Sequence, residues 1–165
     1  MSPVRVRSVS EDMTREIGRR LGEAARPGDV FALAGELGSG KTRFVQGLAR
    51  GLGIDPDEVA SPTFTMIAEH AGRLTLHHMD LYRMRTHVDL STVGIEEYLD
   101  ARGPDAGVCA VEWADRFADV MPPGAIRVDF AIGDGDARVL LFAAPAERED
   151  EIERQLAGFT PERIG

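Results

Sequence analysis

One stretch of eight residues, from Gly35 to Thr42, constrains this chain more than any other. It reads GELGSGKT and matches the phosphate-binding loop pattern G-x-x-x-x-G-K-S/T at every fixed position. The glycines of that pattern let successive backbone N–H groups point into one concavity, while Lys41 reaches the terminal phosphates and the Thr42 hydroxyl is a ligand for magnesium. The predicted nucleotide-binding residues are therefore Gly35, Glu36, Leu37, Gly38, Ser39, Gly40, Lys41 and Thr42.

The segments on either side of this loop have the order that the pattern requires. Residues 30–34 are an apolar run typical of a buried strand, and residues 43–52 carry apolar side chains at helical spacing. A phosphate bound in the loop would also lie at the N-terminus of that helix, which favours anions. The expected fold is a three-layer α/β domain of the P-loop NTPase type, with a mixed sheet flanked by helices.

The lysine content limits the choice of nucleotide. Of the 19 Lys and Arg residues, Lys41 is the only lysine. The guanine-reading motif of the Asn-Lys-x-Asp type needs a second lysine, so guanine-nucleotide binding is excluded. The single lysine stands where a compact ammonium, rather than a guanidinium fork, is required.

Composition and charge limit the possible partners. With 165 residues the chain is predicted to form one ATPase domain over residues 1–146, followed by a charged and helical tail over residues 147–165. No apolar run approaches the roughly 20 residues of a membrane span, and the N-terminus has no secretory pattern, so we expect a cytoplasmic protein without a membrane contact. The net charge of −9 makes the chain a poor binder of nucleic acid by itself.

The remaining segments alternate between strand and helix patterns. A capping box from Ser8 to Glu11 predicts a helix that ends near Ala25. Neighbouring strand residues point to opposite faces, so His77 and His78 are not expected to bind a metal together, whereas His78 and Asp80 share a face. The other predicted elements are an opening strand at residues 4–9, a hairpin of 63–69 with 73–80, a helix over 86–101 interrupted near 94, a strand at 108–113 and a hairpin of 126–132 with 138–142.

Two carboxylates are candidates for the chemistry of phosphoryl transfer. In phosphate-loop proteins, an acidic residue at the end of a core strand helps to hold magnesium. Glu112 is the last carboxylate of one apolar strand, and Asp80 is at the end of another strand. Each is also compatible with an ordinary strand-end carboxylate. We assign Glu112 to the metal and Asp80 to the attacking water or to a supporting role, with Lys41 as the third catalytic residue. Arg83 or Arg85 has the charge to neutralise the transferred group, although a surface position is the favoured interpretation.

Four stretches together resemble one family. They are the loop at 35–42, SPTF at Ser61, Pro62, Thr63 and Phe64, HMDLYR at residues 78–83, and VEW at residues 111–113. The chain resembles the TsaE (YjeE) family of small bacterial ATPases. It departs from the family's usual pattern at Glu36, Ser39 and Arg43, and none of these changes removes a ligand.

The resemblance implies a function and further site residues. TsaE proteins hydrolyse ATP slowly and act with the TsaD–TsaB pair, which transfers threonylcarbamoyl to adenosine 37 of tRNA. By similarity, Ser61 to Phe64 is a switch segment, Asp80 is catalytic, and Thr42 with Glu112 binds Mg²⁺. Other residues expected near the site are His78, Tyr82, Arg83 and Trp113, with Glu11 and Thr14 near the base.

Two other functions remain compatible with these residues. A small-molecule kinase shares the loop and the size, with Arg83, Arg85 and Arg102 as candidate lid residues. A nucleotide-dependent assembly module would act on its partner through the bound state rather than through turnover.

Overall fold

The computed structural model describes residues 3–62 and 66–159, together with the backbone of residues 161–163. Within these residues the chain forms five α-helices and eight strands. The helices are α1 (Glu11–Glu23), α2 (Lys41–Gly51), α3 (His87–Val93), α4 (Ile95–Leu99) and α5 (Glu149–Leu156). The strands are β1 (Val4–Ser8), β2 (Val30–Gly35), β3 (Ile67–His70), β4 (Leu76–Asp80), β5 (Val108–Glu112), β6 (Ile126–Ile132), β7 (Arg138–Ala143) and β8 (Pro161–Arg163).

All eight described strands join one mixed sheet in the order β3-β4-β5-β2-β6-β7-β1-β8. Its centre is parallel, since β2 lies between β5 and β6, and β5 also pairs with β4. The flanking pairs β3–β4, β6–β7, β7–β1 and β1–β8 are antiparallel. The predicted α/β fold with a mixed sheet is confirmed, and the parallel centre brings the carboxyl ends of β2, β4 and β5 to one edge.

Two apolar cores cover the two faces of this sheet. Helices α1, α2 and α5 supply one core with residues such as Ile17, Phe44 and Leu156. Helices α3 and α4 and a 3-10 segment at Ala114–Val120 supply the other, with residues such as Leu90 and Phe117. The predicted break in the α3–α4 region is confirmed at Gly94, which has a left-handed conformation with φ of 70°.

Helix α1 begins differently from the sequence prediction. Its N-cap is Ser10, whose hydroxyl accepts a hydrogen bond from the Met13 N–H at 3.1 Å. The predicted capping box at Ser8 is wrong, because Ser8 is the last residue of β1 and its hydroxyl contacts Thr14 at 2.7 Å. The helix ends at Glu23 rather than near Ala25.

Close packing of α1 on α2 fixes the helix that follows the phosphate loop. A Cβ atom added to Gly47 of α2 would lie 2.0 Å from the carbonyl oxygen of Arg15, and one added to Gly18 of α1 would lie 2.3 Å from that of Phe44. These distances leave no room for a side chain, so the glycines allow the two backbones to touch. The position of α2 therefore depends on small residues at its middle.

The C-terminal segment is attached to the sheet core through a buried ion pair. Arg148 donates to both carboxylate oxygens of Asp29, and both side chains are about nine-tenths buried. Asp29 and Glu151 raise the pKa of the Arg148 guanidinium against the effect of burial. Ile152 and Leu156 of α5 are buried in the same core as α1. Strand β8 was not predicted from the sequence, since three residues carry too short a pattern.

No helix in the described part of the chain has the length and apolar character required to span a membrane.

Candidate functional site

The phosphate loop connects the end of β2 to the start of α2 at the carboxyl edge of the parallel strands. Gly40, the residue before the helix, has φ of 107°, which a residue with a side chain rarely adopts. The structure describes every residue in the first turn of α2, and none of them has an acidic side chain. The positive end of an 11-residue helix is thus left available to an anion.

Lys41 is buried against the loop that it follows. Its ammonium donates hydrogen bonds to the carbonyl oxygens of Gly35 and, at 3.1 Å, of Glu36. It also lies 3.9 Å from the centroid of the Trp113 ring, a cation–π contact. Burial lowers the pKa of Lys41, and the negative charges of nearby carboxylates, with Glu112 the strongest, act in the opposite direction.

Glu112 and Thr42 meet across the site. The Thr42 hydroxyl lies 3.0 Å from Oε1 and 3.2 Å from Oε2 of Glu112. Glu112 is the last residue of β5 and is 3% exposed, whereas Thr42 is in the first turn of α2 and is half-buried. Both groups offer hard oxygen donors at the same place, which is the kind of ligand that Mg²⁺ prefers.

Asp80 lies beside Glu112 because β4 and β5 pair in parallel with these two residues in register. Each of its carboxylate oxygens accepts one hydrogen bond at 2.9 Å, Oδ2 from the Ser61 hydroxyl and Oδ1 from the backbone N–H of Tyr82. The backbone N–H of Asp80 donates to the carbonyl of Met66 at 3.0 Å. These bonds fix the orientation of a half-buried carboxylate.

An aromatic group forms one wall of the site. The rings of Tyr82 and Trp113 lie 4.9 Å apart at 49°, and the Arg116 guanidinium is 5.6 Å from the Tyr82 ring. Arg116 also donates to the carbonyl of Tyr82. Trp113 has a left-handed backbone with φ of 61°, an unusual conformation for a bulky residue, and its ring reaches over Lys41.

These residues surround one cavity of about 320 Å³. The predicted residues that line it are Leu37, Lys41, Thr42, Ser61, Pro62, Asp80, Tyr82, Arg83, Glu112 and Trp113, and Met66 completes the lining. Residues from four separate stretches of sequence therefore come together in one place. The assignment of each to a ligand remains a prediction.

Several predicted site residues do not line this cavity, namely the loop residues Gly35, Glu36, Gly38, Ser39 and Gly40 and, outside the loop, Glu11, Thr14 and His78. Glu11 is exposed and pairs with Arg43 at 3.4 Å. Thr14 is 2% exposed and its hydroxyl bonds to Ser8, although its methyl is near Gly40. His78 is fully buried behind Glu112, with its Nε2 at 2.5 Å from Oε2.

Other residues predicted from the sequence lie away from the cavity or outside the residues that the structure describes. Of the candidate lid residues, Arg102 donates to the carbonyls of Leu99 and Ala101 at the end of α4, away from the site. The predicted switch residues Thr63 and Phe64 lie outside the described residues. As predicted, His77 lies on the face opposite His78, where its ring packs against Tyr98 at 4.8 Å.

Four contributors to the site were not identified from the sequence. Met66 and Arg116 hold Asp80 and Tyr82, Asp115 adds negative charge near Lys41, and Arg138 donates to the Gly38 carbonyl at 3.1 Å. Arg138 is 100 residues away from Gly38 in the chain. A local sequence pattern carries no signal for such a contact.

Within the described residues no group of three or more His, Cys, Asp and Glu side chains is placed to hold a metal ion. These residues therefore give no support for a metal site built from protein side chains alone. Mg²⁺ in nucleotide sites is usually held by one or two protein oxygens together with phosphate and water, and Thr42 with Glu112 fits that requirement.

Comparison with known proteins points to one family. The family model described as "Threonylcarbamoyl adenosine biosynthesis protein TsaE" matches residues 8–140. The chain is 37% identical over 158 residues to the tRNA threonylcarbamoyladenosine biosynthesis protein TsaE of Bacillus subtilis, covering 95% of this chain and 96% of the relative. It is 39% identical over 133 residues to the protein of the same name from Treponema pallidum, covering 80% and 95%.

A solved structure supports the same grouping. The fold superimposes on the crystal structure of Bacillus subtilis YdiB with a TM-score of 0.76 and 34% sequence identity. The match covers 96% of this chain and 97% of that one.

Proposed function

Because the chain belongs to the TsaE family of threonylcarbamoyl adenosine biosynthesis proteins, we propose that it binds and hydrolyses Mg-ATP to support formation of N6-threonylcarbamoyladenosine in tRNA, in association with the TsaD–TsaB pair. One observation carries the proposal, namely the convergence of Lys41, Thr42, Asp80 and Glu112 on a single cavity at the phosphate loop. The reaction is transfer of the terminal phosphoryl group to water, which yields ADP and inorganic phosphate.

The phosphates are held by the loop and by the start of α2. Backbone N–H groups of the loop and the positive end of the helix face the anion. Lys41 exchanges its hydrogen bonds to the Gly35 and Glu36 carbonyls for bonds to the β- and γ-phosphates. Burial of Lys41 strengthens this attraction, since water screens the charge less.

Thr42 and Glu112 are the residues that would hold the magnesium. When bound there, magnesium would supply positive charge to offset that of the phosphates and of the leaving oxygen. The Thr42 hydroxyl bonds to Glu112 here, and its oxygen would serve as the second protein ligand.

Asp80 orients the attacking water and accepts its proton. Ser61 and the Tyr82 N–H each bond to one of its oxygens, and each oxygen keeps a lone pair for a further bond. Because Ser61 belongs to the predicted switch segment, a change in that segment alters the orientation of the carboxylate. This link between the segment and Asp80 makes hydrolysis sensitive to a partner.

The partner holds the tRNA and completes the site. A net charge of −9 opposes direct binding of nucleic acid. The rim of the cavity exposes apolar side chains, with Leu37 84% and Tyr82 54% exposed, as expected where another protein docks. We therefore propose that the protein acts together with the tRNA-modifying machinery in the cytoplasm.

The decisive experiment measures ATP hydrolysis by the chain alone and with purified TsaB and TsaD from the same source, together with tRNA modification. We expect slow hydrolysis alone, faster hydrolysis with the partners, and modification only when all three proteins and ATP are present. Lys41→Ala should lose binding and hydrolysis by about 100-fold or more, whereas Arg50→Ala, an exposed position in the last turn of α2, should keep both. No stimulation and no modification would refute the proposal, and phosphoryl transfer to a small molecule would favour a kinase.

A further inference from the structure

Glu112 has a buried partner behind it. The His78 side chain is 0% exposed, and its Nε2 lies 2.5 Å from Oε2 of Glu112. His78 does not line the cavity, so it lies on the side of Glu112 away from the predicted nucleotide. It is therefore placed to act through Glu112 and not on the substrate.

The register of β4 and β5 explains this contact. His78 is opposite Ala110 and Asp80 is opposite Glu112, so His78 lies one pair nearer the amino end of the strands on the same face. The methyl group of Ala110 leaves space for an imidazole beneath the longer glutamate. The sheet thus places His78 behind the Glu112 carboxylate, whereas the Asp80 carboxylate accepts a hydrogen bond from Ser61 instead.

The hydrogen-bonding capacity of the two groups fixes the direction of the bond. An ionised carboxylate only accepts, so Nε2 carries the proton and donates to Oε2. The other ring nitrogen, Nδ1, is buried and has no hydrogen-bond partner among the described residues. A neutral ring protonated on Nε2 meets both conditions, because it leaves no buried N–H group unpaired.

We propose that His78 is the positioning residue for Glu112, and that its Nε2–H bond holds the carboxylate toward Thr42 in the orientation that binds the divalent cation. The inference rests on the proposed function, since it gives Glu112 the role of metal ligand. The bond uses one lone pair of Oε2 on the buried side, and the side of the carboxylate that accepts from the Thr42 hydroxyl is the side that would face the ion. Groups that hold a metal ligand in this way typically alter metal affinity by about 10- to 100-fold when they are removed.

The test is direct binding of Mn²⁺, followed by its electron paramagnetic resonance signal, to the full chain saturated with ADP. His78→Leu keeps the bulk without a donor, and we expect its Kd for Mn²⁺ to rise about 10- to 100-fold. His78→Gln, whose amide nitrogen reaches the position of Nε2, should stay within about threefold of the parent chain. His77→Gln, the neighbouring residue on the opposite face, is the matched control and should leave the Kd unchanged.

Two further measurements separate positioning from a structural role. Metal-free ADP affinity, which depends on the phosphate loop, should be unchanged in His78→Leu. If that variant fails to fold, His78→Asn replaces it, since its shorter amide stays polar but does not reach Oε2, and it should lose Mn²⁺ affinity in the same way.

Some results would overturn the inference. Normal Mn²⁺ affinity in a folded His78→Leu or His78→Asn chain would do so, as would an equal loss in His78→Gln. The Glu112→Ala variant shows whether the positioning role of His78 or the proposed metal site itself is wrong. If it loses Mn²⁺ while His78→Leu does not, only the positioning role is wrong; if Glu112→Ala also keeps its affinity, the metal site of the proposed function is wrong.

Discussion

The hydroxyl of Thr42 and the carboxylate of Glu112 lie within 3.2 Å of each other, although 70 residues separate them in the chain. Thr42 is placed by the start of α2 and Glu112 by the end of β5, so the contact depends on how the helix sits on the sheet. Neither residue by itself distinguishes a metal site from an ordinary polar surface. Their meeting point beside Lys41 is the observation that supports the proposed magnesium-dependent nucleotide site.

Replacement of the two carboxylates should separate metal binding from turnover. Glu112→Ala should weaken binding of Mg-ATP by about 10-fold or more and leave binding of metal-free ATP nearly unchanged, because only the metal ligand is lost. Asp80→Ala should retain Mg-ATP binding but lower kcat by about 10²- to 10⁴-fold, since the water loses its orienting base. Isothermal titration with and without Mg²⁺, together with single-turnover rates, checks both. An unchanged metal requirement in Glu112→Ala would assign the ligand to Asp80.

Trp113 should report nucleotide binding directly. It is the only tryptophan in the chain, and the Lys41 ammonium lies 3.9 Å from its ring centroid. When Lys41 turns to a phosphate this contact changes, so the tryptophan emission should shift on addition of Mg-ATP. A fluorescence titration measures the effect.

The Lys41→Met variant serves as the control for this titration. It removes the charge while keeping an apolar side chain over the ring, and it should give no saturable change. A response in Lys41→Met equal to that of the parent chain would show that the emission change does not arise from the Lys41–Trp113 contact.

The contacts of this site show where a sequence is informative and where it is not. The loop from Gly35 to Thr42 is local, so its pattern predicted strand, loop and helix. The period of two in β4 also placed His78 and Asp80 on one face. By contrast, the bond from His78 to Glu112 depends on the register of two strands that are 34 residues apart, and no periodicity encodes a register between strands.

The same distinction explains the errors at the two ends of the chain. Ser8 fits a capping box by spacing, but pairing with β7 extends β1 to that residue, so Ser10 becomes the N-cap. Tertiary pairing overrode a local signal there. Attachment of the C-terminal segment through Arg148 and Asp29 joins residues 119 positions apart, a contact that becomes predictable only when the fold is known.

Gly47→Ala should destabilise the fold and weaken the nucleotide site together. The added methyl group would meet the carbonyl oxygen of Arg15 at 2.0 Å, so α2 must move away from α1. We expect a loss of about 1–3 kcal/mol in the free energy of unfolding and weaker ATP binding, because α2 carries Lys41 and Thr42. Urea denaturation and nucleotide titration measure the two effects.

Gly124→Ala is the matched control for this substitution. An added Cβ there meets nothing within 4 Å, and the position has no left-handed backbone. Its stability should be unchanged or higher by up to about 1 kcal/mol, since alanine restricts the unfolded chain. Equal behaviour of the two variants would show that α1 and α2 are not in the close contact described.

Cys109 should be inert in the native protein and should make stability fall at high pH. The thiol is 2% exposed, and burial raises its pKa from the ordinary value of 9.0 to about 12. Below pH 9 the thiol is protonated in both folded and unfolded chains. Between pH 9 and about 12 the unfolded chain releases its proton first, so the free energy of unfolding decreases as the pH rises through this interval.

Two measurements check this prediction for Cys109. Labelling by a thiol-specific disulfide reagent at pH 8 should be slower in the native chain than in urea by about a thousandfold or more, because reaction requires opening of the buried strand β5. Urea denaturation across pH 8–11 should show a steeper loss of stability in the parent chain than in Cys109→Ala, which lacks the ionisable group. Rapid labelling of the native chain would mean that β5 is accessible to solvent. Since β5 carries Glu112, it would also contradict the burial of the proposed metal ligand.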